Sequence, residues 1–351
     1  MGWPDGFRYK EQVSAFSAVF AGLDDRHRLD RYRRLAAAAL EHYDLGPAEA
    51  TFLAHNAGAA YRVETAAGER FVLKIAEPVG EGGGWAPEGI GTVLAWLAAL
   101  ARETDLVVQE PVPNRLGGFL TAVAFPDLAE PFRCSVQRWV EGERVGHFTP
   151  DHAHRIGRAV ARLHRHGATW VPPLPPPAAG EWAAGWVLER TGDLRGVVDL
   201  GILSSEDWRT VEAAAARVDA VMAGLGRGPS VWGPIHGDLH HGNILFEGGE
   251  VRLIDFGGFS RTHLAHDLGT VLYHVMYQDV AVRRALAEGY GAGWLGEEVA
   301  GAAVCAAAID NLAFQLTIPR ERASAHTARN VRELAGVFCR RLLAAEPFVF
   351  A

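Results

Sequence analysis

Cysteine is scarce: Cys134, Cys305 and Cys339 are the three in 351 residues. An odd number, far apart in the chain, argues against a disulfide framework and fits a reducing compartment. Positive charge is not in excess either. Lys+Arg 34 against Asp+Glu 42 gives a formal charge of −8, which is not the electrostatic footprint of a nucleic-acid or anionic-membrane binder. No uninterrupted apolar run of about 18 residues occurs, so no membrane span is expected. The first residues, Met1 to Arg8, lack the apolar stretch of a signal peptide. A cytoplasmic location is the expectation. What is present is a globular composition, 49% hydrophobic and 22% charged. Much of the apolar share is alanine, which points to Ala-rich helices. The length is roughly two domains' worth.

Periodicity divides the chain unevenly. Residues 1–29 read as an N-terminal extension. Tyr32, Leu35, Ala36, Ala39, Leu40 and Tyr43 then recur at helical spacing over Asp30 to Tyr43, and Gly46-Pro47 ends the helix. Residues 60–65 and 70–75 read as antiparallel strands around a turn at Ala67-Gly68. On the second, Phe71, Leu73 and Ile75 share one face, and Val72 and Lys74 share the other. Gly80 to Trp85 reads as a mobile glycine-rich loop. A helix over 90–101 carries Val93, Leu94, Leu97 and Leu100 as its buried stripe, and strands are expected near 119–125 and 134–140. From about residue 141 the pattern is mainly helical. Thr149-Pro150 supplies a cap and a first-turn proline, with His164 to Gly167 closing that helix. Val171 to Pro177 is a stiff connector, and further helices are expected near 206–224, 298–316 and 327–344. The expectation is an α+β chain with a small mixed-sheet lobe over 30–140 and a larger helical lobe over 141–351.

The chemistry concentrates between His236 and Gly257. Asn243 to Phe246 and Val251 to Ile254 read as two short strands around Glu247-Gly-Gly-Glu250. Pairing Phe246 with Val251 sets Ile244 opposite Leu253 and Asn243 opposite Ile254. Asp255 then lies beside Asn243 at the open end of the hairpin. An amide oxygen and a carboxylate converging there suit a hard cation such as Mg²⁺. Asp238, on a loop loosened by Gly237, faces the same point without being a ligand. One carboxylate free to take a proton, plus an Asn/Asp pair on a metal, is the layout for moving a phosphoryl group to a hydroxyl. Lys74 fits the role of the cation that meets the ATP phosphates in that layout, and the loop from Asn56 to Ala60 is expected to close over the nucleotide.

These residues resemble the aminoglycoside phosphotransferase/choline kinase-like family, which has a bilobal protein-kinase-like fold. The family's His-Gly-Asp-x-x-x-x-Asn signature stands here as His236-Gly237-Asp238 through Asn243, and its Ile-Asp-Phe as Ile254-Asp255-Phe256. Looser similarity extends from the helix near Asp30 through Phe71 to Ile75, Gln137 to Gly142 and His266-Asp267-Leu268. In texture the chain is closest to bacterial stress-response kinase and type II homoserine kinase relatives. The resemblance implies Asp238 as catalytic base, Asn243 and Asp255 as Mg²⁺ ligands, and Lys74 as the phosphate-binding lysine. The backbone at Trp139, Val140 and Glu141 would meet adenine. The implied reaction moves the γ-phosphate of ATP to a hydroxyl of a small molecule or of protein Ser/Thr. One departure is that Val93 stands where the family has a glutamate partner for the lysine, with Glu88 the nearest substitute.

Two other readings remain open at this level. A catalytically weak nucleotide-binding regulatory module is motivated by Val93 and by the glycine-poor turn. A metallohydrolase is motivated by His263, His266 and Asp267 near His240, His241 and Asp255, although that ligand set lacks a clean His-x-His or His-x-x-x-His pair on a helix. Asp267 reads as the N-cap of a helix over 268–277. His236 reads as a loop-orienting hydrogen-bonder, and His240 and His241 as a solvated turn and a pocket-edge contact. Trp170, Trp182, Trp186, Trp208 and Trp232 read as core residues before they read as a cation-binding wall.

Overall fold

The computed structural model describes residues 23–55, 58–77, 87–126, 128, 130–173, 185–291, 295–317 and 324–351, without the side chains of Asp25, Pro87 and Glu88. Asn56 and the glycine-rich stretch from Gly80 lie outside the described residues, as does Trp182. The chain forms two compact units, one reaching Glu141 and the other beginning at Gly142, with the segment from Val171 counted with the first.

In the first unit, helix α1 (Asp25–Leu40) starts earlier than its apolar stripe because the Asp24 carboxylate caps it, accepting the His27 N–H at 2.9 Å. Strands β1 (Ala48–His55), β2 (Gly58–Thr65) and β3 (Arg70–Ala76) follow. The sequence reading does not anticipate β1, which is half exposed and lacks a clean alternation. Helix α2 (Pro87–Glu103) leads to β4 (Val107–Val108), β5 (Pro111–Val112), β6 (Thr121–Val123) and β7 (Phe132–Arg138). The sheet runs β1-β2-β3-β7-β5, with β6 also on β7. Each of these pairings is antiparallel, so the sheet is not mixed in direction. Phe71, Leu73 and Ile75 point into one core with Tyr61, Phe132, Val136 and the buried stripe of α1. Each such side chain contributes about 1.5–3 kcal/mol by leaving water. The opposite face is left to Val72 and Lys74, and Lys74 sits opposite Ala60 on β2 and Ser135 on β7. On α2, Leu94, Leu97 and Leu100 are buried, whereas Val93 is half-buried.

In the second unit, β8 (Glu143–Arg144) precedes helix α3 (Pro150–Thr169). Thr149 caps α3, and His152 completes a reciprocal capping box. The helix runs two residues past the expected stop at Gly167. Gly167 instead gives α3 room against Pro234, where a Cβ would meet the ring at 2.7 Å. Helices α4 (Trp186–Leu194), α5 (Gly196–Asp199) and α6 (Ser205–Gly224) follow, then strands β9 (Trp232–Ile235), β10 (Ile244–Glu247), β11 (Glu250–Leu253) and β12 (Ser260–His263). Helices α7 (Ala265–Val275), α8 (Val280–Tyr290) and α9 (Glu297–Thr317) complete the core, and a run over 325–343 closes the chain with a π-helical turn at Leu334–Cys339. α3 packs on α8, and α9 packs on α4, α6 and α7. By length and composition α9 is apolar enough to cross a membrane. Here it is a core helix, buried from Ala300 through Ile309 and again at Leu312, Ala313 and Leu316. Cys305 on α9 and Cys339 lie thiol to thiol, distant in sequence but adjacent in space, and all three cysteines are buried and free.

Candidate active site

The hairpin registers as its sequence dictates: Phe246 pairs with Val251 and Ile244 with Leu253. One step further out, the Ile254 N–H donates to the Asn243 carbonyl at 3.0 Å, which seats Asp255 next to Asn243. Asp255 has φ 61 and ψ 67. This left-handed backbone costs an L-residue of order 1 kcal/mol, and Asp tolerates it better than most. Its carboxylate is exposed, while Asn243 is buried. Asn243 Nδ2 donates to both the backbone carbonyl of Asp238 (2.9 Å) and its Oδ2 (3.0 Å). With both amide hydrogens directed at Asp238, Asn243 presents Oδ1 on its other side. One amide oxygen and one exposed carboxylate form an all-oxygen donor set of the kind Mg²⁺ or Ca²⁺ takes. Among the described residues no group of three His, Cys, Asp or Glu forms a metal cluster. The two histidines behind the metallohydrolase reading are committed elsewhere. His263 faces the Gly226 carbonyl, and His266 is buried beside the Trp186 ring.

The loop carrying Asp238 is held from behind. His236 is fully buried, its Nε2 bonds the Ile254 carbonyl at 2.9 Å, and its Nδ1 accepts the Asp238 N–H at 3.2 Å. Asp267 is not the helix cap expected from its sequence neighbours. It lies inside α7, fully buried, and accepts the backbone N–H groups of His236 (2.9 Å) and Gly237 (2.8 Å). His164 of α3 meets the same carboxylate at 3.2 Å and reaches Tyr290 of α8 through its other nitrogen at 2.9 Å. The helical core thus fixes the backbone immediately before Asp238. Gly237 completes the fit. Its φ is +78, and a Cβ there would lie 1.9 Å from the Gly258 carbonyl oxygen, so no other residue fits without displacing the chain after Asp255.

The electrostatics follow from burial. Burial raises the Asp267 carboxyl, but the hydrogen bonds from His164 and from the Gly237 N–H outweigh it, leaving the group below its ordinary value. Burial lowers His236 and His266, so both rings are neutral near pH 7. The His240 side chain remains 38% exposed, whereas His241 is half-buried. His241 stacks on Phe148 and, like His240, lies near the ring of the half-buried His274. Burial first, then neighbouring imidazoles, bring His241 down to about 4 and His274 down to about 3. His240 goes the other way: burial lowers it, but the Asp238 and Asp255 carboxylates more than offset that.

The remaining candidates belong to the first unit. Lys74 is half-buried at mid-strand. Apart from Lys10 it is the sole lysine of a chain whose other basic residues are all arginine, a signal the motif reading passed over. Gly58 is required by the strand pairing, since a Cβ would meet the Ile75 carbonyl oxygen at 2.4 Å. The Trp139 N–H bonds the Arg70 carbonyl (3.0 Å), Val140 is buried, and Glu141 pairs with Arg70 at 2.7 Å. The segment from Trp139 to Glu141 is therefore tied to the start of β3. The Glu88 side chain lies outside the described residues. Trp208 and Trp232 are core, Trp170 and Trp186 are half-buried, and they do not make one wall.

An antiparallel sheet bearing a half-buried lysine, followed in the chain by a helical unit with Asp, Asn and Asp on a loop and hairpin, defines an α+β enzyme of the protein-kinase-like fold. Solved structures share that fold. A microcompartment-associated aminopropanol kinase is 22% identical, covering 91% of this chain and 100% of that one with a TM-score of 0.73. Amicoumacin kinase in complex with AMP-PNP, Ca²⁺ and Ami is 18% identical, covering 92% and 96% with a TM-score of 0.71. An aminoglycoside phosphotransferase from Alicyclobacillus acidocaldarius is 17% identical, covering 88% and 95% with a TM-score of 0.57. No curated protein matches the sequence. The model of the phosphotransferase enzyme family matches residues 49–301, and the chain belongs to that family.

Proposed function

We propose that this phosphotransferase moves the γ-phosphate of ATP, with Mg²⁺, to a hydroxyl group of a small molecule. The observation that carries the reading is the Asn243 side chain. Its Nδ2 donates to Asp238 Oδ2, while the backbone carbonyl of the same residue accepts the Ile254 N–H just before Asp255. One residue thus links a carboxylate suited to take a proton to a carboxylate suited to hold a cation. Asp238 orients the acceptor hydroxyl and takes its proton as the oxygen–phosphorus bond forms and the bond to the ADP oxygen breaks. Asn243 and Asp255 are the residues that would hold Mg²⁺, which when bound neutralises phosphate charge. Lys74 supplies a fixed positive charge for the phosphates, and the backbone of Trp139, Val140 and Glu141 meets the adenine. Such catalysis is mainly positioning and charge neutralisation. The similar aminopropanol kinase and the AMP-PNP and Ca²⁺ complex of the similar amicoumacin kinase support a nucleotide, a divalent cation and a small hydroxyl-bearing acceptor.

The test is calorimetry with Mg·ATP, followed by ADP release across a panel of amino alcohols, sugars and aminoglycosides. Binding, and turnover stimulated by at least one member, is the expected outcome. Binding with neither acceptor-stimulated nor slow basal turnover would move the chain to the regulatory, nucleotide-binding class.

A further inference from the structure

Asp238 is approached unequally at its two carboxylate oxygens. Oδ2 takes the Asn243 Nδ2 hydrogen bond at 3.0 Å and is faced by His240 Nε2 at 3.5 Å. Among the described residues Oδ1 has no hydrogen-bond partner. The His240 ring is not free to turn away. Its Nδ1 accepts the Gly242 N–H at 2.9 Å, and an N–H donates only to an unprotonated nitrogen. In the neutral ring the hydrogen must then sit on Nε2, the atom aimed at Asp238. The ring also lies close against Gly242, where a Cβ would meet Cε1 at 2.6 Å and Nδ1 at 3.0 Å. The half-buried His274 ring stands nearby, 5.8 Å between centroids. The sequence between Asp238 and Asn243 therefore builds a second donor, not merely a turn. At 3.5 Å the contact is longer than a formed hydrogen bond, as catalytic contacts commonly are before substrate binds.

We infer that His240 is a positioning residue for phosphoryl transfer: its Nε2–H, locked by Gly242, holds Oδ2 of Asp238 together with Asn243, so that Oδ1 alone is presented to the acceptor. The inference rests on the reading of Asp238 as proton acceptor. It says why this loop needs histidine at 240 and glycine at 242 as well as the signature residues. Losing the His240 donor lets the carboxylate rotate, so proton transfer slows while nucleotide binding stays.

The test compares wild type with His240→Phe, His240→Gln and Asp238→Ala, using slow ADP release from Mg·ATP with water as acceptor. Gln carries an N–H at the same number of bonds from Cα as His Nε2, so it restores the donor. His240→Phe is expected to lower kcat roughly tenfold, the rate equivalent of one modest hydrogen bond, with Mg·ATP affinity by calorimetry unchanged. His240→Gln is expected to recover most of the loss. A second readout needs no turnover: nitrogen chemical shifts of ¹⁵N-histidine protein at alkaline pH, assigned with His240→Gln, should show the Nε2–H tautomer at His240. A wild-type rate in His240→Phe, an equal loss in His240→Gln, or the Nδ1–H tautomer would each overturn the inference. Asp238→Ala separates the two levels. If it turns over like wild type, the proton-acceptor reading falls and this inference with it. If it is inactive while His240→Phe is unaffected, only the role of His240 is lost.

Discussion

Replacing Asp267 by Asn changes one carboxylate oxygen to an NH₂ group at a fully buried site. Oδ2 accepts the His236 N–H and faces His164 Nε2, and Oδ1 accepts the Gly237 N–H. An amide can keep one of these sides and must turn a donor against a donor on the other. The least costly orientation gives up the single Gly237 bond, and the other gives up two. Hydrogen bonds to a charged group contribute about 1.5–3 kcal/mol each, and a buried donor left unpaired costs about 1–3 kcal/mol. The expected loss is therefore about 2–4 kcal/mol from a total of about 5–15 kcal/mol. For a unit of this size that lowers Tm by roughly 5–15 °C. The pH dependence gives the sign a second check. Asp267 lies below the ordinary carboxyl value in the folded protein. Its contribution is therefore present above the unfolded value of about 3.9 and is lost as pH falls through the folded one. Calorimetric melts of wild type and Asp267→Asn should differ at neutral pH, and the gap should close in acid below that value. Equal Tm values at pH 7 would refute the idea that this carboxylate carries the loop.

The site makes further predictions of its own. Asp238→Ala should abolish phosphoryl transfer while sparing ATP affinity, checked by acceptor-dependent ADP release beside calorimetry. Asp255→Ala should weaken binding of ATP measured with Mg²⁺ more than binding measured in EDTA, and equal changes would count against the cation role. Gly237→Ala should cost activity and stability together, because the added methyl meets the Gly258 carbonyl at 1.9 Å. An ATP analogue bearing an acyl-phosphate should acylate Lys74 selectively, read by peptide mass spectrometry. Labelling at Lys10 alone would contradict the phosphate-binding role.

The parts of this molecule that were legible in sequence are those set by local rules. The Thr149-Pro150 cap, the alternation of Phe71, Leu73 and Ile75, and the register of Ile244 with Leu253 all follow from periods of 3.6 or 2 and from turn chemistry. Asp238, Asn243 and Asp255 could be brought together on paper because one hairpin spans them. Asp267 was misread for a physical reason. A short acidic residue just ahead of an apolar helical run looks like an N-cap, and only tertiary packing shows that α7 begins earlier and that the carboxylate serves a loop 30 residues upstream. His164 was placed at a helix end for its basicity, yet it is buried against Asp267. His240 is partly solvated as read, but its approach to the carboxylate two positions back is a contact that exists only once the loop is folded. The meeting of Cys305 with Cys339 likewise depends on packing, which no spacing rule encodes.

The central claim is that Asp238 takes the acceptor's proton in transfer of the ATP γ-phosphate. Incubation with γ-labelled ATP, Mg²⁺ and the acceptor panel tests it most directly. Label should appear covalently on a hydroxyl-bearing acceptor with wild type and be absent with Asp238→Ala, although that variant still binds Mg·ATP. Equal label transfer by the variant, or Mg·ATP bound by wild type with the label left on ATP, would contradict it.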